Sequence, residues 1–179
     1  MKKLIPLYKP SLSNEEKSNV LECLNENWIS SKGKFTKMFE DSFKKKFNYK
    51  FACVTTNGTT ALHLSLLALN IKRNDEVIVP NLTYVAPANA VKYVGANVVL
   101  VDVNLKTWLM DYEAIEKKIT KNTKAIILVH LYGFTYNFSE IEKLRKKYNI
   151  KIIEDCAEAI GTKFRNKFVG NFGDISTFS

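Results

Sequence analysis

Ile152-Ile153-Glu154-Asp155-Cys156-Ala157-Glu158 is an apolar run closed by acidic residues, with Asp155 and Glu158 three positions apart. A run this short and this rich in isoleucine reads as a strand buried on both faces, and Asp155 falls at its carboxyl end. Working outward, runs of the same kind occur at Phe51 to Thr55, Val77 to Val79, Val98 to Val101, Ala125 to Val129 and Ile150 to Ile153. Helical candidates lie between most of them, at Thr60 to Leu69, Val85 to Val94, Tyr112 to Ile119 and Ser139 to Tyr148. Such alternation predicts an α/β fold with a mostly parallel sheet.

The flanks follow the same logic. Ser13-Asn14-Glu15-Glu16 has the form of a capping box, which predicts a helix through Val20, Leu21 and Leu24. Ser139 to Glu142 has the same form. Trp28 to Gly33 reads as a loop. Phe35, Phe39, Phe43 and Phe47 then recur every four residues and place their rings on one helical stripe, a pattern of core or interface. After Gly161, Thr162 to Phe164 and Phe168-Val169 flank the polar turn Arg165-Asn166-Lys167, which reads as a hairpin. Ile175 to Ser179 is a further strand candidate, with an exposed apolar sheet edge expected near Ile175 to Phe178 that would favour self-association.

Composition narrows the function classes. The 179 residues are 46% hydrophobic, enough for a core and most simply one domain. A balance of 27 Lys+Arg against 18 Asp+Glu gives a net charge of +9, but the lysines are scattered and no common nucleic-acid motif is present. Cys23, Cys53 and Cys156 form no CxxC pair, which argues for reduced thiols and against a disulfide framework or zinc site. The start Met1-Lys2-Lys3 is basic, but Pro6, Lys9 and Pro10 interrupt any apolar signal segment, and no run reaches a membrane span of about 20 residues. The expectation is a soluble, cytoplasmic protein without nucleic-acid or membrane partners.

Ligands of parallel α/β sheets bind outside the carboxyl ends of the strands, so the residues there are the candidates. Thr56-Asn57-Gly58-Thr59-Thr60 offers a tight turn, a helix start and hydroxyls that suit an anion, or an ordinary turn with a threonine cap. Tyr84, in Pro80 to Pro87, could lie over a planar ligand or simply pack. His130 at the end of its strand is a proton-transfer candidate or a structural histidine, and His63 reads as structural. Asp155 must be paired or must face a ligand, since a buried lone carboxylate costs several kcal/mol. Without a second acidic cluster or a His/Asp set, a metal or a glycosidase pair carries little weight. Ser176, Thr177 and Ser179 add hydroxyls at the final strand.

The order and spacing of these segments resemble one family along the whole chain, the DegT/DnrJ/EryC1 group of sugar aminotransferases of fold type I, which use pyridoxal 5'-phosphate (PLP). The resemblance rests on Trp28-Ile29-Ser30-Ser31-Lys32-Gly33, Thr56 to His63, Asp75 to Pro80 and Thr83-Tyr84-Val85-Ala86. It continues through His130-Leu131-Tyr132-Gly133, Glu154 to Ala159 and Gly173 to Ser179. In detail the chain looks most like members that aminate a nucleotide-linked 4-keto-6-deoxy sugar for cell-surface polysaccharide. The resemblance implies a three-layer α/β/α large domain, with residues 1–179 forming an N-terminal arm plus an incomplete cofactor domain and the small C-terminal domain absent. It implies that Gly58, Thr59, Thr60 and Ser179 hold the cofactor phosphate, that Tyr84 stacks on the ring and that Asp155 pairs with the pyridine nitrogen. Glu158 would lie by the ring oxygen or the reacting amine, and Ser30, Ser31 and His130 would be near the substrate. It further implies glutamate as amino donor, a homodimer, and a Schiff-base lysine a few residues beyond Ser179, so that the chain alone is inactive. Two alternatives stand beside it: a dehydratase of the same family with histidine for the lysine, and a non-catalytic anion-binding or interaction protein.

Overall fold

In a computed structural model, residues 4–6 and 9–179 are described, so the basic start Met1-Lys2-Lys3 lies outside the described residues. The chain divides into two compact units, Met1–Cys53 and Val54–Ser179.

In the first unit, α1 (Asn14–Asn25) opens with the expected capping box. Ser13 N–H donates to Glu16 Oε2 at 2.6 Å, while Glu15 N–H donates to Ser13 Oγ at 3.1 Å. Helix α2 (Lys34–Phe47) carries the phenylalanine stripe, with Phe43 and Phe47 centroids 4.6 Å apart and Phe47 buried. Asn48 ends it in the left-handed conformation at φ 59°, a cap that asparagine tolerates.

The second unit is the α/β body. It contains α3 (Gly58–Ala68), β1 (Glu76–Pro80), α4 (Ala86–Tyr93), β2 (Asn97–Val101), α5 (Tyr112–Lys118), β3 (Thr123–Val129), α6 (Phe138–Tyr148) and β4 (Lys151–Asp155). The hairpin β5 (Lys163–Phe164) and β6 (Lys167–Phe168) and the strand β7 (Ile175–Thr177) follow. Five strands form one sheet in the order β2-β1-β3-β4-β7, every pairing parallel. Alternate residues of each strand feed opposite faces. Val77, Val79, Ala125, Ile127 and Ile153 pack with Leu62 and Leu66 of α3 and Ala90 and Val91 of α4. Ile78, Ile126, Leu128 and Ile152 pack with Ile115 of α5 and Ile141 and Leu144 of α6. Helices thus cover both faces, the expected three layers. The hairpin turn is made by Arg165 and Asn166 at φ 47° and 66°, the positive pair that a tight two-residue turn requires.

Three expectations are corrected. Phe51 to Thr55 forms no strand: it lies outside the five-stranded sheet and the hairpin. The Ser139 capping box does not form: α6 starts one residue earlier, capped by Asn137, whose side chain accepts from Ser139 N–H at 3.2 Å. Burying Phe138 in the core pulls it into the first turn and shifts the cap upstream. Finally, β7 is the outer strand of its sheet, but its side chains form no exposed apolar patch. Thr177 is buried, Ile175 is half-buried, and Phe178 packs against the α5–α6 core.

Candidate functional site

The order β2-β1-β3 reverses direction between β1 and β3, a switch point of the kind that opens a crevice at the carboxyl ends of strands. A cleft of about 560 Å³ opens at this end of the sheet. Gly58, Thr59, Thr60, Tyr84, Asp155 and Ser179 all line it, although they come from four separate segments.

The anion-binding side is the start of α3. Asn57 caps the helix, its Oδ1 accepting from Thr60 N–H at 2.9 Å. Among the described residues, the Gly58 and Thr59 amides have no protein acceptor, so the helix presents first-turn N–H donors at the cleft wall. Thr56 Oγ1 and Thr60 Oγ1 lie 3.3 Å apart beside them. A Cβ on Gly58 would come within 3.0 Å of Ser179 Cβ, so glycine is what lets the last residue of the chain close on the helix start.

Across the cleft, Asp155 is 6% exposed. Its Oδ1 accepts from Ala157 N–H at 3.1 Å, and its second oxygen has no donor among the described residues. Burial pushes its carboxyl above the ordinary range, with the Ala157 N–H and His130 pulling the other way and Glu158 adding to the rise. Such a carboxylate is suited to a partner that brings positive charge and an N–H. A protonated pyridine nitrogen meets that need, and a phosphate meets the donors at α3, so the residues present fit PLP.

The remaining candidates fall elsewhere. His130, read as a residue near the substrate, is wholly buried and is not among the residues that line the cleft. Its Nε2 lies 3.1 Å from Glu154 Oε2, and its ring meets Tyr136 edge-on at 5.8 Å. Glu158 is exposed and is not among the residues that line the cleft; its Oε2 accepts from Tyr132 N–H at 2.7 Å. Ser30 and Ser31 are exposed residues of the first unit, ahead of α2.

Sequence reading missed two kinds of residue. His63 and Tyr93 also line the cleft, their rings 5.7 Å apart. The spacing of Thr59, Thr60 and His63 along one helix carried that signal. Glu154, read only as part of a strand, is a buried anchor. It meets His130 Nε2 at 3.1 Å and accepts from the amides of Gly170, Phe172 and Gly173 at 2.6 to 2.7 Å. His130, Glu154 and Cys156 form a buried trio with the elements of a metal set. The carboxylate is, however, already filled by these donors, and Glu154 holds the segment that leads into β7.

A family model described as the DegT/DnrJ/EryC1/StrS aminotransferase family matches residues 10–179. Over 177 residues the chain is 53% identical to GDP-perosamine synthase of Escherichia coli O157:H7, a match covering 99% of this chain and 49% of that one. The aminotransferase from Psychrobacter cryohalolentis superposes with a TM-score of 0.88 at 35% identity, over 95% of this chain and 43% of that chain. The E. coli GDP-4-keto-6-deoxy-D-mannose-3-dehydratase with bound hydrated PLP gives 0.89 at 32% identity, over 97% and 46%. The chain therefore spans about half the length of the curated relatives it matches.

Proposed function

Because the chain belongs to the DegT/DnrJ/EryC1/StrS aminotransferase family, we propose that it is the cofactor-binding front portion of a PLP-dependent aminotransferase that places an amino group on a nucleotide-linked 4-keto-6-deoxy sugar. The observation that carries this reading is the meeting, in one cleft, of the α3 start, Tyr84, Asp155 and Ser179. PLP, when bound, supplies an electron sink for chemistry at a carbon bearing an amine. In this reading the Gly58 and Thr59 amides and the Thr60 and Ser179 hydroxyls hold the phosphate. Asp155, kept from water, favours a proton on the pyridine nitrogen. Tyr84 lies along the ring at the cleft mouth. Glutamate gives the amino group.

The identity to GDP-perosamine synthase favours a GDP-linked keto sugar, of the kind that feeds cell-surface polysaccharide. The proposed assembly is a homodimer in the cytoplasm. No helix among the described residues is long and apolar enough to cross a membrane. Proton transfer at the reacting carbon is assigned, in this reading, to a lysine that the resemblance places a few residues after Ser179. The likeness to the E. coli dehydratase supports a second reading, removal of a sugar hydroxyl, in which histidine stands for that lysine.

Absorbance titration of the 179-residue chain with PLP tests the cofactor site, and saturable binding lost in Asp155→Ala is expected. Turnover of keto sugar and glutamate by the same verified chain would overturn the assignment of proton transfer to a later lysine. The codon a few positions after Ser179 separates the two reactions.

A further inference from the structure

We propose that Thr177 is a positioning residue for Asp155, its hydroxyl donating to the carboxylate so that the second oxygen of Asp155 is held toward the cleft. The part of this that concerns the cofactor rests on the PLP reading above.

Two unsatisfied groups of opposite need lie side by side. Thr177 is 4% exposed, and its Oγ1 is buried without a hydrogen-bond partner. A buried hydroxyl left in that state is destabilising, so it marks a place where a partner is expected. In the parallel ladder, Asp155 is the direct neighbour of Thr177. Residues opposite each other on strands about 4.8 Å apart point to the same face, within reach of one rotation about χ1. That face is the cleft face, because Asp155 lines the cleft and Ser179, two residues after Thr177, lines it too.

The backbone holds the pair in register. Cys156 N–H donates to Thr177 O at 2.8 Å and His130 N–H to Asp155 O at 3.0 Å. Ala157 N–H occupies Asp155 Oδ1 from one side. A second donor from Thr177 would fix the plane of the carboxylate and favour its charged form. The other ionisable groups that act on Asp155 are His130 and Glu158.

The test uses the 179-residue chain with carbon-13 in the aspartate carboxyls, as wild type, Thr177→Val and Thr177→Ser. Removing the hydroxyl at constant shape should move the Asp155 titration midpoint upward, and serine should return it. An unchanged midpoint in Thr177→Val overturns the proposal. Thr177→Ala gives the same readout should valine disturb folding. PLP affinity should fall about tenfold in Thr177→Val and recover in Thr177→Ser, the loss of one hydrogen bond to a charged group. A wild-type chain that takes up no PLP but shows the titration shift sinks the cofactor reading and leaves the Thr177–Asp155 contact standing.

Discussion

Asp155 and Glu154 are adjacent in the chain and face opposite sides of the sheet, and their environments give them opposite tasks. Asp155 has one N–H donor and an open cleft, so its charge is poorly satisfied until a ligand arrives. With its folded carboxyl raised by burial, it contributes stability that is present below its unfolded range and lost as pH rises through the folded value. Asp155→Asn should therefore raise the melting midpoint of the unliganded chain at neutral pH by a few degrees, flatten that acid-side slope and abolish PLP binding. Scanning calorimetry across pH, with and without PLP, checks all three outcomes. Glu154 is the reverse case, a buried carboxylate with its donors in place. Glu154→Gln sets an amide against N–H groups and should cost about 2–4 kcal/mol in urea unfolding. Hydrogen exchange at Gly170, Phe172 and Gly173 should accelerate with it. Gly173 lies so close that a Cβ there would sit 2.7 Å from Ile152 O, so this grip needs glycine as well.

At the scale of elements, the start of α3 is where local sequence and ligand chemistry meet. Asn57 satisfies the third helical amide and leaves the first two for an anion. Gly58→Ala should leave the helix intact, since alanine is the better helix former. Its methyl, however, crowds Ser179 and narrows the phosphate seat. PLP affinity is expected to drop about tenfold while urea stability changes by less than about 1 kcal/mol. Fluorescence titration together with a urea curve separates the two effects. The same scale explains where local patterns misled. Ser139 and Asn137 both suited a cap, and only the burial of Phe138 selected Asn137. Phe51 to Thr55 had strand composition but joins neither sheet, since β-branched content alone does not decide strand pairing.

For the whole molecule, burial sorts chemically equal residues into different behaviours. Cys53 is exposed and Cys156 buried. Burial pushes the Cys156 thiol well up, with the Glu154 and Asp155 charges adding to the rise. At pH 8 a disulfide thiol reagent should modify Cys53 promptly and Cys156 only after denaturant is added, and mass spectrometry of the labelled peptides reads the result. The sequence alone determined the parallel α/β layers, because apolar runs of strand length alternating with helical periodicity leave few other ways to bury both faces. It also determined Gly58, Thr59, Thr60, Tyr84, Asp155 and Ser179 as candidates, because strand ends and helix starts are local features. Only the tertiary structure decided that these residues share one cleft, that His130 turns inward to Glu154, and that Glu158 holds Tyr132 N–H. Those outcomes depend on which strand lies beside which and on which side chain finds a donor there, and such pairings between distant segments are not encoded in any local pattern.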